Sequence, residues 1–242
     1  MALIQATLFT FALLLSSSYA ATIVIKNNCR HTIWPATLTS GSGQSQLSAT
    51  GFGLASGENE IINVPTPWTG RIWARRGCTI DDSSRFSCET GDCATGSVFC
   101  NGSGGIPPAT LAEFTLAQNG GTDFYDISLV DGFNLPASIT PNGGTGQCVS
   151  PKCSSDVNMV CPSDLIVQGK NGVIGCKSSC LAYNRPEDCC TAEFNDPKIC
   201  QPGISAKIFE EECPQAYSYA YDDENSTFTC SSTTSYDVTF CP

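Results

Sequence analysis

Histidine and basic residues are scarce in this 242-residue sequence, and both shortages exclude classes of function. The one histidine is His31, and no two cysteines have Cys-x-x-Cys spacing, which argues against a zinc site and predicts no metal or other cofactor. A Ser-His-Asp triad would have to use His31, which follows Cys29 at a strand edge and is better explained as a surface or packing residue. The 12 Lys and Arg against 23 Asp and Glu give a formal net charge of −11. That charge argues against nucleic acid or an anionic membrane surface as a partner.

Long apolar runs are absent after residue 20. Residues 1–20 combine the apolar segment Leu8–Leu15 with small residues that end at Ala20, a pattern typical of a secretory signal peptide. No later segment is long or apolar enough to cross a bilayer. The mature chain is therefore predicted to begin near Ala21 and to be a secreted, extracellular monomer.

Cysteine, by contrast, is abundant. All 16 cysteines follow the predicted cleavage site, and an even number in an exported chain predicts eight disulfides and no free thiol. The adjacent Cys189 and Cys190 are closer than disulfide geometry prefers, so each needs a different partner. Nine cysteines fall within residues 148–213, which predicts a loop-rich, disulfide-stabilised domain. The closely spaced cysteines from Cys78 to Cys100 predict a small disulfide-held lobe.

Alternating apolar and β-branched residues predict an all-β core around these regions. Strands are expected at residues 21–29, 31–38 (as the neighbour of the first), 61–64, 71–75, 109–116, 122–131, 227–230 and 236–241. Short helices are predicted at Cys176–Tyr183, where Cys176 and Cys180 would share one face, and at Ser205–Glu212. Glu210, Glu211 and Glu212 would form a solvated face of the second helix.

The segment Thr122–Asn134 stands out because three aspartates interrupt an otherwise apolar strand. A carboxylate in such a strand costs free energy unless it is paired or faces a wet cleft. Strand alternation places Asp126 on the opposite face from Asp123 and Asp131. Asp126 and Asp131 can share a site only if the strand bends or ends before Asp131, and Gly132 offers that break. This segment alone does not decide between a cleft and a solvated face.

The block Cys88–Cys100 resembles the signature of the thaumatin family, although Ser84 stands where the signature has glycine. Further matching blocks are Asn27–Cys29, Arg71–Arg75, Thr110–Glu113, Phe124–Pro136, Cys189–Cys190, Ala216–Tyr219 and Phe240–Pro242. The chain is most similar to the acidic, pathogenesis-related members of plants.

This resemblance implies a thaumatin-like fold with three domains. They are a β-sandwich core (residues 21–75, 101–147 and 214–242), a disulfide-rich domain of loops and short helices (148–213) and a small loop domain (76–100). The implied disulfides are Cys29–Cys241, Cys78–Cys88, Cys93–Cys100, Cys148–Cys230, Cys153–Cys213, Cys161–Cys176, Cys180–Cys189 and Cys190–Cys200.

The resemblance also implies an acidic cleft between the first two domains. Its residues are Arg71, Glu113, Asp126, Asp131 and Asp222; Asp223 follows directly, and the sequence leaves open which of the two faces the cleft. Four carboxyls around one arginine raise the pKa of at least one of them. Aromatic residues that could stack on sugar rings are expected nearby: Tyr125, Phe133, Tyr217 and Tyr219.

Three functions fit such a cleft. The preferred one is a plant defence protein that binds β-1,3-glucan of fungal cell walls. The second is a weak endo-β-1,3-glucanase with Glu113 as acid and Asp126 or Asp131 as second carboxylate. Only slow hydrolysis is expected, because Arg71 and open solvent both favour charged carboxyls. The third is a protein that perturbs hyphal membranes through a cationic membrane-protein partner.

Two sequons, at Asn101 and Asn225, are candidates for N-glycosylation.

Overall fold

A computed structural model describes residues 20–242, so the predicted signal peptide lies outside the described residues except for Ala20. The described chain is all-β, as predicted. Its strands are β1 (Ala20–Asn27), β2 (Trp34–Thr39), β3 (Asn59–Pro65), β4 (Trp68–Arg75), β5 (Thr79–Ile80), β6 (Phe86–Ser87), β7 (Leu111–Leu116), β8 (Thr122–Ser128), β9 (Ala137–Thr145), β10 (Lys152–Cys153), β11 (Ile166–Gly169), β12 (Gly172–Cys176), β13 (Ala216–Tyr217) and β14 (Phe228–Phe240). The helices are α1 (Ser179–Tyr183), α2 (Pro186–Cys189), α3 (Ile204–Glu212) and α4 (Asp223–Ser226), with single 3₁₀ turns at Val157–Met159 and Ala192–Phe194.

Strand β14 organises the main sheet. One of its edges pairs with β9, and its other edge pairs with β8 at its start and with β1 at its end. From β8 the sheet continues through β7 and β4 to β2, while β1 continues to β3. The two branches contribute to one apolar core, with Ile23 and Ile62 from one branch and Ile72, Phe114 and Ile127 from the other.

Two strand predictions need correction. Strand β2 pairs with β4 and not with β1, because the chain crosses to the other branch of the sheet after Cys29. The two strands predicted near the end of the chain are one continuous strand, β14, with an irregular register between Thr233 and Ser235. Pairing with β8 and β9 up to Ser231, and with β9 and β1 from Ser235, continues the strand through its polar middle, where Ser232 has a φ of +56°.

Strand alternation divides the side chains of β4 and β7 between two faces. Ile72 and Ala112 point into the main core. Trp73 and Leu111 point the other way and form a second apolar cluster with the Cys93–Cys100 disulfide. The 76–100 segment therefore covers one end of this second face, and the remainder of the face carries the candidate site described below. The three-domain division stays a prediction.

Eight disulfides connect the described chain, and they are the pairs that the resemblance implies: Cys29–Cys241, Cys78–Cys88, Cys93–Cys100, Cys148–Cys230, Cys153–Cys213, Cys161–Cys176, Cys180–Cys189 and Cys190–Cys200. The helix predicted at Cys176–Tyr183 is present, but its predicted start is wrong, because Cys176 ends β12 and exchanges backbone hydrogen bonds with Phe133. Helix α1 begins only at Ser179, after Ser178 caps it. Cys176 and Cys180 therefore do not share a helix face.

Thiol titration checks this covalent framework. Under denaturing conditions without reductant, we expect no reactive thiol, because all 16 cysteines are paired. After reduction, the same assay should find all 16. A reactive thiol before reduction would contradict the eight-disulfide structure.

The fully buried Asn134 joins several parts of the fold through its side chain. Its Oδ1 accepts a hydrogen bond from Thr110 N (3.1 Å), and its Nδ2 donates to Ala74 O (2.9 Å) and Thr90 Oγ1 (3.2 Å). Asn158 Nδ2 in turn donates to Asn134 O (3.3 Å). The side-chain amide thus links β4, the approach to β7 and the 76–100 segment, and the backbone carbonyl of the same residue adds the disulfide-rich region.

Candidate functional site

Three charged side chains form a row across neighbouring strands. Arg71 of β4 lies directly opposite Glu113 of β7, and Glu113 lies directly opposite Asp126 of β8. Directly opposed residues project from the same face with Cβ atoms about 4.5–5.5 Å apart. The hairpin between β7 and β8 sets this register through the turn Gln118–Gly121, which the sequence predicts at Asn119–Gly121. Adjacent strands thus bring together residues that are far apart in sequence.

Asp131 joins this row from a loop. Strand β8 ends at Ser128, before Asp131, as a shared site requires. Gly132 then has a φ of +85°, and a Cβ there would lie 2.7 Å from Cys176 O, so only glycine fits this turn. The turn places Asp131 Oδ2 3.8 Å from Arg71 Nη1. Both side chains are more than a third exposed.

An open cavity of about 260 Å³ lies over these residues. It is lined by Arg71, Leu111, Glu113, Asp126, Ser128, Val130, Asp131, Tyr217 and Ala220. Leu111 and Ser128 lie two residues from Glu113 and Asp126, so strand alternation could have identified them. No sequence signal indicates Val130 or Ala220, because the folded chain alone brings them here.

Tyr217 lines one side of the cavity, and Asp223 lies directly behind its hydroxyl. Strand β13 pairs with the end of β8, which places Tyr217 opposite Ser128. The Tyr217 hydroxyl donates to Asp223 Oδ1 (2.7 Å) and also contacts Thr227 Oγ1. The negative charge of Asp223 acts on Asp126. Of Asp222 and Asp223, it is therefore Asp223, at the start of α4, whose charge acts on the row.

Asp222, which the resemblance assigns to the cleft, does not line this cavity. Its Oδ2 accepts hydrogen bonds from Ser218 N (2.9 Å) and Ser218 Oγ (2.7 Å). Glu210 lies close to it, and burial together with Asp222 raises the pKa of Glu210. The predicted solvated face is thus wrong for Glu210, whose Oε2 is buried, whereas Glu211 is exposed.

Of the four aromatic residues expected at the cleft, only Tyr217 lines it. Tyr125 and Phe133 are fully buried in the main core, where the Tyr125 hydroxyl donates to Val149 O (2.6 Å). Alternation along β8 turns Tyr125 away from Asp126. Tyr219 lies beside a neighbouring, smaller cavity. The cleft therefore presents mostly polar groups, with one aromatic ring at its side.

The two carboxyls of the row, Glu113 and Asp126, are both largely buried but have different charged neighbours. Burial raises the pKa of Asp126 to about 8, and the charges of Glu113 and Asp223 add to the rise. Burial also raises the pKa of Glu113, but Arg71 and a hydrogen bond from Ser128 oppose that rise. Asp126 Oδ1 is buried and has no hydrogen-bond partner within residues 20–242. These surroundings favour a proton on Asp126 over one on Glu113, whose charged form Arg71 stabilises.

The remaining candidate residues lie away from this row. His31 is exposed, consistent with a surface role. Asn101 and Asn225 are both exposed, and their glycosylation stays a prediction. Across residues 20–242, no three His, Cys, Asp or Glu side chains are grouped to hold a metal ion, and no helix could span a membrane.

Comparison with known proteins gives consistent results. The family model of the thaumatin family matches residues 27–242. Thaumatin-like protein 1 of Prunus persica is 54% identical over 237 residues, covering 97% of this chain and 96% of the relative. A protein of Prunus avium named glucan endo-1,3-beta-glucosidase is 54% identical over 226 residues, covering 93% of this chain and 92% of the relative. In structure, the chain is similar to a laminaripentaose-producing β-1,3-glucanase of Paenibacillus barengoltzii complexed with laminarihexaose, with a TM-score of 0.60, 12% identity, and coverage of 91% of this chain and 74% of that one.

Proposed function

The chain belongs to the thaumatin family, and on this premise we propose that it is a secreted plant defence protein whose acidic cleft binds β-1,3-glucan of fungal cell walls. The observation that carries the proposal is the row of Arg71, Glu113 and Asp126 at the base of an open cavity. Ionised carboxylates accept hydrogen bonds from sugar hydroxyls, and the guanidinium donates them. Tyr217 adds one aromatic surface beside these polar groups. A neutral glycan is the ligand class that uses all of these features.

Slow hydrolysis of the same glucan is the second candidate function. Burial raises the pKa of Asp126 to about 8, which favours a retained proton on this carboxyl although Arg71 and open solvent favour the charged forms of the others. Glycoside hydrolysis needs one protonated and one ionised carboxyl. We therefore propose Asp126 as the proton donor and Glu113 as the base or nucleophile, the reverse of the roles expected from sequence. The name of the Prunus avium relative supports this chemistry.

The cleft stays wide open, and this limits the proposed catalysis. Asp131 has a side-chain exposure of 41% and Arg71 of 34%, so bulk water reaches the row. Electrostatic stabilisation of a transition state is strongest where water is excluded. We accordingly propose binding as the main function and expect turnover well below the ordinary enzyme range of about 1–10³ per second.

Exchanging two cleft carboxylates should weaken glucan binding. The double variant Glu113→Gln with Asp131→Asn should bind insoluble β-1,3-glucan about 10²–10⁴-fold less tightly, because hydrogen bonds to charged groups contribute about 1.5–3 kcal/mol each and the variant removes two charged acceptors. A pull-down on the insoluble polymer, run beside a reducing-sugar assay, measures both binding and hydrolysis.

The matched control is Glu211→Gln with Glu212→Gln on α3. It changes the net charge equally but lies outside the cavity, so it should bind like the parent. Equal retention of the cleft variant and the parent would show that the cleft is not the binding site.

A further inference from the structure

A second cavity, of about 320 Å³, lies beyond the end of β4. It is bounded by the start of β2, the residues that follow β4, and the hairpin of β11 and β12. Its larger side chains are those of Trp34, Arg76, Glu89 and His31, and the turn at Gly172 lines one side of it. It shares no lining residue with the cleft. Its volume is at the lower end of the range of about 300–1,000 Å³ that is typical of ligand sites.

Trp34 supplies a rigid aromatic wall. It is half-buried, and its ring packs against Phe86 with 6.1 Å between centroids. The Arg75 guanidinium, which is fully buried, lies 5.0 Å from the centroid of the same Phe86 ring and donates to Trp34 O. These contacts fix the indole before any ligand arrives. A preformed aromatic surface loses little conformational entropy when it binds.

Glu89 supplies a fixed acceptor in this cavity. Its Oε1 accepts a hydrogen bond from Lys170 N (2.9 Å). A Cβ on Gly77 would lie 2.4 Å from Glu89 Oε2, and one on Gly169 would lie 2.7 Å from it. Two glycines therefore make the space that this carboxylate occupies.

Arg76 supplies an unused donor. Its side chain is half-buried, and it makes no hydrogen bond or ion pair within residues 20–242. Burial and the charge of Arg76 lower the pKa of His31, which disfavours a second positive charge in this cavity. The cavity thus contains one fixed acceptor, the Glu89 carboxylate, and one set of unpaired donors, the Arg76 guanidinium. Their opposite charges nearly balance.

We propose that this cavity is a second saccharide-binding site, which holds a neutral sugar unit against Trp34 with Arg76 and Glu89 hydrogen-bonded to its hydroxyls. An anionic ligand would meet Glu89 and a chain with a net charge of −11. A purely apolar ligand would bury Arg76 and Glu89 without partners, which is costly. A neutral sugar has donors and acceptors for both, together with C–H faces for the indole. Two sites on one chain would also strengthen retention on a polymeric glycan.

Tryptophan fluorescence tests this site directly. Trp34 is the solvent-accessible tryptophan, because Trp68 and Trp73 are fully buried. Laminarihexaose at millimolar concentration should therefore reduce acrylamide quenching of the intact protein. Arg76→Gln should raise the laminarihexaose concentration that gives half of this protection about tenfold, because one charged hydrogen-bond donor is lost. Arg30→Gln, an exposed arginine outside the cavity, is the matched control and should change nothing.

The cleft variant Glu113→Gln with Asp131→Asn separates this site from the proposed function, because it should keep the full protection of Trp34. Loss of protection in that variant would locate the ligand in the cleft and overturn the proposal. Unchanged quenching with laminarihexaose, cellohexaose and xylohexaose would overturn it as well. Protection by oligogalacturonate alone would show an anion site instead of a neutral one.

Discussion

Asp126→Asn should abolish hydrolysis of β-1,3-glucan and, in the same protein, raise the free energy of unfolding at alkaline pH. The amide cannot serve as an acid, and loss of general acid catalysis lowers turnover by about 10²–10⁴-fold. Binding should largely persist, because the amide resembles the protonated carboxyl that it replaces. Loss of hydrolysis together with a higher free energy of unfolding is expected only if Asp126 is buried and protonated. Replacing a surface aspartate should produce neither effect.

The pH dependence of this stabilisation follows from the raised pKa of Asp126. Between the ordinary value of 3.8 and about 8, the folded protein holds a proton that the unfolded chain has released. The free energy of unfolding therefore falls as pH rises through this window, and the cost of the group is complete only above about pH 8. Removing the group should stabilise the fold by on the order of 3–6 kcal/mol above the window, since each unit of pKa shift corresponds to about 1.4 kcal/mol, and by nothing below it.

Guanidinium unfolding of parent and variant at both ends of this pH window measures the effect. Asp237→Asn is the control, because Asp237 forms a surface ion pair with Lys26 (2.7 Å) and such pairs contribute about 0–1 kcal/mol. If Asp126→Asn is destabilising at both pH values, or hydrolysis survives, Asp126 is not the protonated acid of the cleft.

Asn134→Ala should destabilise the fold by about 3–5 kcal/mol, because it leaves Thr110 N and Ala74 O buried without partners and opens a cavity. The loss should be greatest where the 76–100 segment meets the sheet, since Asn134 also bonds Thr90. Hydrogen exchange of the amides around Thr90 and Gly91 should therefore accelerate more than exchange in β14.

Asn142→Ala provides the comparison for this variant. Asn142 Nδ2 makes one long, half-buried hydrogen bond to Ser235 Oγ (3.3 Å), so its loss should change the unfolding free energy by about 1 kcal/mol or less. Equal destabilisation by the two variants would show that the Asn134 network does not connect these parts of the fold.

The sequence by itself determined much of the covalent and strand framework. The cysteine count predicts the eight disulfides, and alternation predicts the strands that carry Arg71, Glu113 and Asp126. Alternation also separates Asp126 from Asp123, which is buried and accepts hydrogen bonds from Ala117 N and Tyr236 Oη. These features were predictable because they depend on neighbours in sequence or on the number of available partners.

Only the tertiary structure decided how the cleft is charged and what surrounds it. The pKa of Asp126 depends on burial and on Asp223, which approaches from another part of the chain. The same packing turns Asp222 toward Ser218 and brings the hairpin of β11 and β12 over Trp34. Desolvation and Coulomb energies depend on distances between atoms that are remote in sequence. The residue pattern can therefore identify the carboxyls of the cleft, but it cannot identify which of them keeps its proton.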